Sequence, residues 1–174
     1  MDQLTGQIGL RRHGTTLIAK AIEWDTFSHC HHVVVFISET YVVSAEPGGV
    51  VIRPATDYDT LAMSHFALTD TQRKAIVSHA MDAYNKHLPY NMAIFPVLLA
   101  SRLTDKPVPA RISQWLSERP NVDCSQLVDD VYNAAKIQLF DADAELITPG
   151  DFDRLFIDCG WLDKTETVNA KITA

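Results

Sequence analysis

Short β-branched runs bounded by polar and turn residues dominate the first third of the chain. Two β-branched runs, at 31–37 and 41–45, are separated by the polar tripeptide Ser38-Glu39-Thr40. Such a pair of runs around a short polar loop predicts a β-hairpin. A third run, at 50–54, predicts a further strand that ends at a proline, and the short mixed run at 6–10 predicts another.

Helical spacing of apolar residues takes over in the remainder of the chain. It predicts helices at 17–24, 71–87, 91–103 and 125–135. The apolar positions that share a face are Leu17, Ala21 and Trp24 in the first, Ile76, Ala80, Ala83 and His87 in the second, and Leu127, Val128 and Val131 in the last. This order of elements predicts an α+β fold in which a small antiparallel sheet packs against helices.

Composition is that of one globular domain. The 174 residues are 47% hydrophobic and 21% charged, which is enough to form a buried core. We expect a single domain over residues 1–174, with a polar tail from about residue 162.

The net charge of −7 argues against a general nucleic-acid or anionic-membrane binder, because an acidic surface repels both. The longest apolar stretch, Ala93 to Ala100, is shorter than the ~18 residues of a membrane span. The first residues do not resemble a secretory signal, so a cytoplasmic location is expected. Packaging in a virus particle and release by lysis need no signal and stay open, as does the oligomeric state.

The three cysteines, Cys30, Cys124 and Cys159, are an odd number without paired spacing, which favours free thiols. Cys124 follows two residues that can cap a helix, Asn121 and Asp123. This places the thiol in a first helical turn, where backbone N–H groups and the helix dipole favour a thiolate. The same N–H groups can stabilise an oxyanion. The alternative is that Cys124 is a small apolar residue of the core.

Three histidines, His29, His31 and His32, surround Cys30. Imidazole and thiolate are both zinc ligands, but adjacent residues of a strand point to opposite faces and cannot all converge. No second ligand pair with metal-like spacing accompanies them, so a metal site is not expected. The alternative is that one of these histidines is the general base for Cys124.

The predicted hairpin suggests which histidine this is. With Ser38-Glu39-Thr40 as the loop, His32 lies opposite Glu46, and Val34 lies opposite Ser44. Opposed side chains have Cβ atoms about 4.5–5.5 Å apart, so a carboxylate at Glu46 can orient the imidazole. The alternative for Glu46 is a solvated residue beside the Pro47-Gly48-Gly49 turn.

Segments spread over residues 6–152 resemble, in the same order, motifs of the circularly permuted papain-like amidases of the NlpC-type superfamily. They are GQIGLRRHGTTLIAKAIEW, HVVVFISETYVVSA, GGVVIRP, LPYN, DCSQLVDDVYNAAKIQL and ITPGDF. In that family the corresponding pieces are a first strand and helix, a His-Val-Gly-Ile strand followed by a Val-Ile-Glu-Ala strand, a further strand, a Pro-Tyr-Asp step, a Cys-Ser-Glu-Leu-Val helix and a Thr-Pro-x-Asp-Leu segment. The resemblance implies a permuted papain-like fold.

Carried over position by position, the resemblance implies that Cys124 is the nucleophile and His32 the base. It places Tyr90, in LPYN, beside the oxyanion. The family's acidic residue falls on Ser44, so the third member is either Ser44 or Glu46, two residues further on.

A rival base remains. His29 follows Ser28, and Ser-His is itself a family-like pair. His29 is therefore an alternative to His32.

The resemblance implies a cysteine hydrolase that cleaves a peptide, amide or ester through a thioacyl-enzyme and requires neither a metal nor an organic cofactor. Cell-wall peptides are the family's commonest substrates, and a phage origin would reconcile them with the absence of a signal. Two other functions stay open: a lipid-directed acyltransferase or thioesterase, and a catalytically silent binding or assembly module on the same fold.

Overall fold

A computed structural model describes residues 2–26, 28–58, 60–91, 97, 100–101, 104, 106, 108–117 and 122–162. Its centre is a five-stranded sheet in the order β4-β3-β2-β1-β5, antiparallel throughout. The strands are β1 (Ile8–Arg12), β2 (Cys30–Phe36), β3 (Tyr41–Glu46), β4 (Gly49–Pro54) and β5 (Ala62–Met63). The predicted hairpin and the α+β class are confirmed. The strand predicted near the start of the chain is β1, which lies between β2 and β5 in the sheet.

The helices are α1 (Leu17–Thr26), α2 (Asp70–Asn85), α3 (Ala110–Ser117), α4 (Cys124–Ala134) and α5 (Pro149–Asp158). Thr69 caps α2 in a reciprocal box with Gln72, and Asp123 caps α4. The helices α3 and α5 were not predicted. The predicted helix at 91–103 lies largely outside the described residues, as does the predicted tail after residue 162.

The sheet separates two apolar clusters of unequal size. On one face Val33 and Val35 pack in a large core with α2, α4 and α5, which includes Tyr132 and Phe152. On the other face a small cluster is formed by Val34, Phe36, Val42 and Tyr58. His32 and Ser44 continue this second face toward one end of the sheet, because side chains alternate along a strand.

The predicted apolar face of α1 is exposed, so this part of the prediction was wrong. The exposed fraction is 88% for Leu17 and 53% for Trp24, whereas Ala19 and Ile22 are buried. The reason is that α1 packs on β2 and α5 through the opposite side of the helix, the one that carries Ala19 and Ile22, so Leu17 and Trp24 face outward.

The stripe predicted for α2 is buried at Ile76, Ala80 and Ala83. His87, predicted as its last member, is exposed. It follows the end of the helix with a φ of 50°, and this left-handed conformation turns the chain out of the helical register.

Candidate functional site

A pocket of about 410 Å³ lies between the inner face of α1 and one end of the sheet. It is lined by Arg11, Thr16, Ala19, Ile22, His31, His32, Glu46, Pro47, Arg53, Asp57, Tyr58 and Tyr90. Three of the four predicted site residues, His32, Glu46 and Tyr90, therefore face one pocket.

A β-bulge at His31 brings two adjacent histidines to this pocket. Arg11 pairs with His32 and Arg12 pairs with Cys30, so His31 has no partner in β1. A bulge interrupts the strict alternation of side chains, and both His31 and His32 line the pocket. The expectation that adjacent residues here point to opposite faces was therefore wrong.

The hydrogen-bond partner of His32 is Ser44, the residue at the family's acidic position. The predicted hairpin register is present, with Val35 paired to Val43 and Phe36 to Val42. Near the pocket, the His32 Nε2 and Ser44 Oγ atoms are 2.7 Å apart.

The Glu46 carboxylate has other partners. It accepts hydrogen bonds from the Arg53 guanidinium at 3.1 Å and from the Tyr58 hydroxyl at 3.0 Å. Burial acts to raise the pKa of Glu46, but these two bonds hold it below its ordinary value. Glu46 is thus an ionised group close to His32 that is joined to Tyr58 and Arg53.

Tyr58 is a site residue that no sequence motif indicates. It follows a single 3-10 turn, Ala55–Asp57, which brings the chain back over the second face of the sheet after β4. Its ring stacks on that of His32, with centroids 6.1 Å apart and an angle of 21° between the planes. Arg11 belongs to β1, and its guanidinium lies 5.8 Å from the centre of the Tyr58 ring.

Cys124 is the first residue of α4, as predicted, and its cap fixes the thiol there. Asp123 accepts hydrogen bonds from the Ser125 and Gln126 N–H groups at 2.8 and 2.9 Å. The backbone amide of Val33, the residue after His32 in β2, forms a hydrogen bond to the Cys124 sulfur that favours its charged form. The thiol therefore lies next to the strand that carries His32.

The electrostatics of Cys124 run opposite to what a helix N-terminus alone favours. Burial and the neighbouring Asp123 carboxylate raise the pKa of the thiol to about 12. The exposed fraction of Cys124 is 2%, so water does not compensate for a charge there. In this conformation the group is a neutral thiol and not a thiolate.

Tyr90 connects the pocket to the thiol. It forms an isolated parallel bridge with Val122, supported by hydrogen bonds of 3.0 Å from Asn91 N–H to Val122 O and from Val122 N–H to Pro89 O. A side-chain hydrogen bond joins Tyr90 to Cys124, and Tyr90 also lines the pocket. Burial raises the pKa of its phenol, so Tyr90 stays a neutral donor.

A glycine holds the Tyr90 segment in place from the other side. The Val50 N–H donates to Leu88 O at 3.1 Å, beside Gly49. Gly49 has a φ of +124°, and a Cβ built on it would lie 2.9 Å from that carbonyl. Only glycine suits both the conformation and the close approach.

The rival base, His29, lies apart from this arrangement. Its ring is tilted against that of His13 with centroids 4.6 Å apart, and it is not among the pocket-lining residues. His31 does line the pocket, but its Nδ1 lies 3.0 Å from the Glu23 carboxylate. Within the described ranges, no three His, Cys, Asp or Glu residues are arranged to hold a metal ion.

Acidification is expected to destabilise the protein through His32. Burial lowers its pKa to about 4, against 6.5 for the unfolded chain, although the Glu46 charge opposes this. The unfolded state binds more protons between these values, so stability is complete above pH 6.5 and is lost toward pH 4. The effect amounts to at most about 3 kcal/mol.

Urea denaturation of wild type and His32→Gln checks this expectation. As the pH is lowered from 6.5 to 4, the free energy of unfolding of wild type should fall relative to that of His32→Gln. Asp123, whose pKa burial raises to about 7, titrates in both proteins and cancels in the difference. A difference that does not change with pH would contradict a buried neutral His32.

No protein-family model matches the chain, and a search of curated proteins finds no match. Among the residues that the structure describes, no helix is both long and apolar enough to cross a membrane.

Proposed function

We propose that this protein is a cysteine hydrolase that cleaves an amide or ester through a thioacyl-enzyme, on a permuted papain-like fold. The supporting observation is that Tyr90 and His32 face one pocket while Tyr90 is hydrogen-bonded to the Cys124 thiol. A candidate base and a candidate oxyanion donor thereby share one cavity, and the donor links this cavity to the candidate nucleophile behind it. The order of elements, with the histidine strand before the cysteine helix, is that of the permuted family.

The neutral state of both groups favours general-base catalysis over a preformed ion pair. In the first step the Cys124 sulfur attacks the substrate carbonyl carbon while its proton passes to His32. The tetrahedral oxyanion receives hydrogen bonds from the Cys124 N–H and the Tyr90 hydroxyl. Its collapse forms the thioester and breaks the bond to the leaving group, which takes the proton from His32.

Hydrolysis of the thioester completes the cycle. Water replaces the leaving group. His32 takes a proton from this water as the water oxygen attacks the thioester carbon. The carbon–sulfur bond then breaks, the acid departs, and the proton on His32 returns to the Cys124 sulfur. Apart from substrate and water, the groups that act in these steps are the Cys124 thiol and backbone N–H, the His32 imidazole and the Tyr90 hydroxyl.

A pre-steady-state burst with p-nitrophenyl acetate tests the proposed function. We expect a rapid release of p-nitrophenol in proportion to the enzyme, followed by slower turnover, because acylation precedes hydrolysis. Cys159→Ala is the matched control: this thiol is exposed and lies after α5, so its loss should leave the burst intact. A burst that disappears in Cys159→Ala, or no release above buffer, would contradict the proposal.

Tyr90→Phe is expected to reduce kcat by about a hundredfold while KM stays nearly unchanged, since an oxyanion donor acts mainly in the transition state. The substitution keeps the ring that lines the pocket. Tyr41→Phe removes a hydroxyl from an exposed tyrosine of β3 and serves as the control. Equal rates for Tyr90→Phe and Tyr41→Phe would remove Tyr90 from the mechanism.

One observation favours a lipid-directed acyl transfer as a second candidate. Leu17 and Trp24 are exposed on the outer face of α1, the helix whose inner face lines the pocket. An exposed apolar face beside a site is suited to an apolar acyl chain. Preference for a long-chain over a short-chain p-nitrophenyl ester would favour this candidate over a peptide amidase.

The burial of the thiol favours a silent binding module as the remaining alternative. Cys124 does not line the pocket in this conformation, and its pKa is raised to about 12. A module of this kind would show neither a burst nor turnover with esters or peptide anilides.

A further inference from the structure

A chain of hydrogen bonds runs from His32 to a charged pair. The His32 Nε2 and Ser44 Oγ atoms are 2.7 Å apart, and a hydrogen bond joins Ser44 to the Tyr58 hydroxyl. The Tyr58 hydroxyl lies 3.0 Å from one Glu46 oxygen, and Arg53 lies 3.1 Å from the other. The residue in the middle of this chain is Tyr58, which no sequence motif indicates.

The direction of donation in this chain is fixed by its charged end. An ionised carboxylate only accepts hydrogen bonds, so the Tyr58 O–H donates to Glu46. The Tyr58 oxygen must then accept from the Ser44 O–H. The Ser44 oxygen is left as the acceptor for His32, and it can accept only if Nε2 carries the proton.

We propose that Tyr58 is a positioning residue that couples Ser44 to the Glu46 carboxylate and thereby holds His32 with Nε2 protonated and Nδ1 free. This inference rests on the proposed function for its consequence, because the free Nδ1 is the atom that would take the proton of Cys124. In this arrangement the histidine is not bonded directly to an acid. The Ser44 and Tyr58 hydroxyl groups connect it to the Glu46 carboxylate.

Burial keeps the relay specific. Ser44 is fully buried, and the exposed fraction of Tyr58 is 8%. A low local dielectric strengthens the hydrogen bonds of such a chain and penalises any member that is left without a partner. The stacked rings of Tyr58 and His32 restrict the imidazole to the plane in which Nε2 reaches Ser44.

The charged and titratable groups around His32 and Tyr58 come from several elements and enter any pH-dependent measurement. They are Arg11 on β1, His31 on β2, Glu46 on β3, Arg53 on β4, Asp57 in the 3-10 turn, and Tyr90. Because all six are unchanged in a Tyr58 variant, a change in the state of His32 there reports on the relay itself.

Tyr58→Phe is the substitution that interrupts the relay while keeping the stacked ring. The Ser44 O–H then has no acceptor at Tyr58 and becomes free to donate to His32 Nε2. This reverses the bond and favours the Nδ1–H tautomer, in which the nitrogen meant for the thiol proton is already occupied. A wrong tautomer of this kind is the known consequence of losing the orienting group of a catalytic histidine.

The test is the tautomer of His32, read from two-bond 15N–1H correlations of protein labelled in the imidazole rings, with the His32→Gln spectrum for assignment. We expect Nε2–H in wild type and in Tyr41→Phe, and a gain of Nδ1–H in Tyr58→Phe. Nδ1–H in wild type, or an unchanged tautomer in Tyr58→Phe, would overturn the inference.

Ser44→Ala serves as a second variant in case Tyr58→Phe does not fold. It breaks the chain at its His32 end with a small change in volume, and we expect the Nε2–H preference to be lost. Retention of that preference in Ser44→Ala would also overturn the inference.

Activity is measured separately, so that the relay and the proposed function fail in different ways. We expect kcat for p-nitrophenyl acetate to fall about a hundredfold in Tyr58→Phe with little change in KM. If wild type is inactive but the tautomer responds as expected, the relay stands and the proposed function fails. If wild type is active and Tyr58→Phe has the same kcat and tautomer, the relay fails and the proposed function stands.

Discussion

Cys124→Ala should reduce ester and amide hydrolysis to the rate of buffer. The sulfur is the atom that forms the thioester, and no neighbouring side chain replaces it in the proposed steps. The fold should survive, because the change removes one small buried atom at the start of α4 while Asp123 still caps the helix. Steady-state hydrolysis and thermal unfolding, measured on the same preparation, check both parts of this expectation.

Cys30→Ala provides the matched control for the loss of a buried thiol. Cys30 is fully buried, but its sulfur contacts the His32 carbonyl at 3.4 Å and does not line the pocket. We expect Cys30→Ala to keep its activity at a small cost in stability. Turnover that persists in Cys124→Ala would show that another group carries the reaction.

His32→Ala is expected to have the second largest effect, a fall in kcat/KM of about a hundredfold to ten-thousandfold, as is usual for a general base. Deletion of the imidazole removes the proposed proton acceptor of the neutral Cys124 thiol, whose pKa is about 12. The loss should therefore appear mainly in kcat. Hydrolysis rates across a series of substrate concentrations give both constants.

His29→Ala is the matched control for this prediction. Its ring contacts that of His13 and lies outside the pocket lining, so its removal should leave kcat and KM unchanged. The opposite order of effects, with His29→Ala inactive and His32→Ala active, would show that His29 is the base and would contradict the site as described.

The hairpin and the position of the thiol could be predicted because each depends on local sequence, whereas the short strand β5 was not predicted. The β-branched runs around Ser38-Glu39-Thr40 fix a hairpin whose register is found at Val35 and Val43. The cap at Asp123 likewise places Cys124 at the start of a helix. Both features follow from neighbours in the chain, which a sequence displays directly.

The partners of His32 could not be predicted, because they depend on contacts between distant elements. The hairpin register places Glu46 opposite His32, but the side chain of Glu46 bonds to Tyr58 and Arg53, and Ser44 reaches the ring instead. Tyr58 arrives through a 3-10 turn after β4, and no periodicity in the sequence signals that return. The bulge at His31 is similarly invisible in an alternating pattern.

The orientation of α1 and the state of the thiol were also beyond local reasoning. Spacing groups Leu17 with Trp24, yet α1 packs through Ala19 and Ile22. A helix N-terminus favours a thiolate, yet burial and the Asp123 carboxylate raise the pKa of Cys124. In both cases the tertiary environment outweighs the local preference, and it is also what assembles the candidate site.

The most direct test of a thioacyl-enzyme at Cys124 is to trap the acyl group on the protein and locate it. Wild type is mixed with p-nitrophenyl acetate, quenched in acid within the burst, digested, and mapped by mass spectrometry. A thioacyl-enzyme at Cys124 predicts one acetyl group on the peptide that carries this residue, present in wild type and in Cys159→Ala and absent in Cys124→Ala. An acetyl group found elsewhere, or unchanged acetylation in Cys124→Ala, would contradict a thioacyl-enzyme at Cys124.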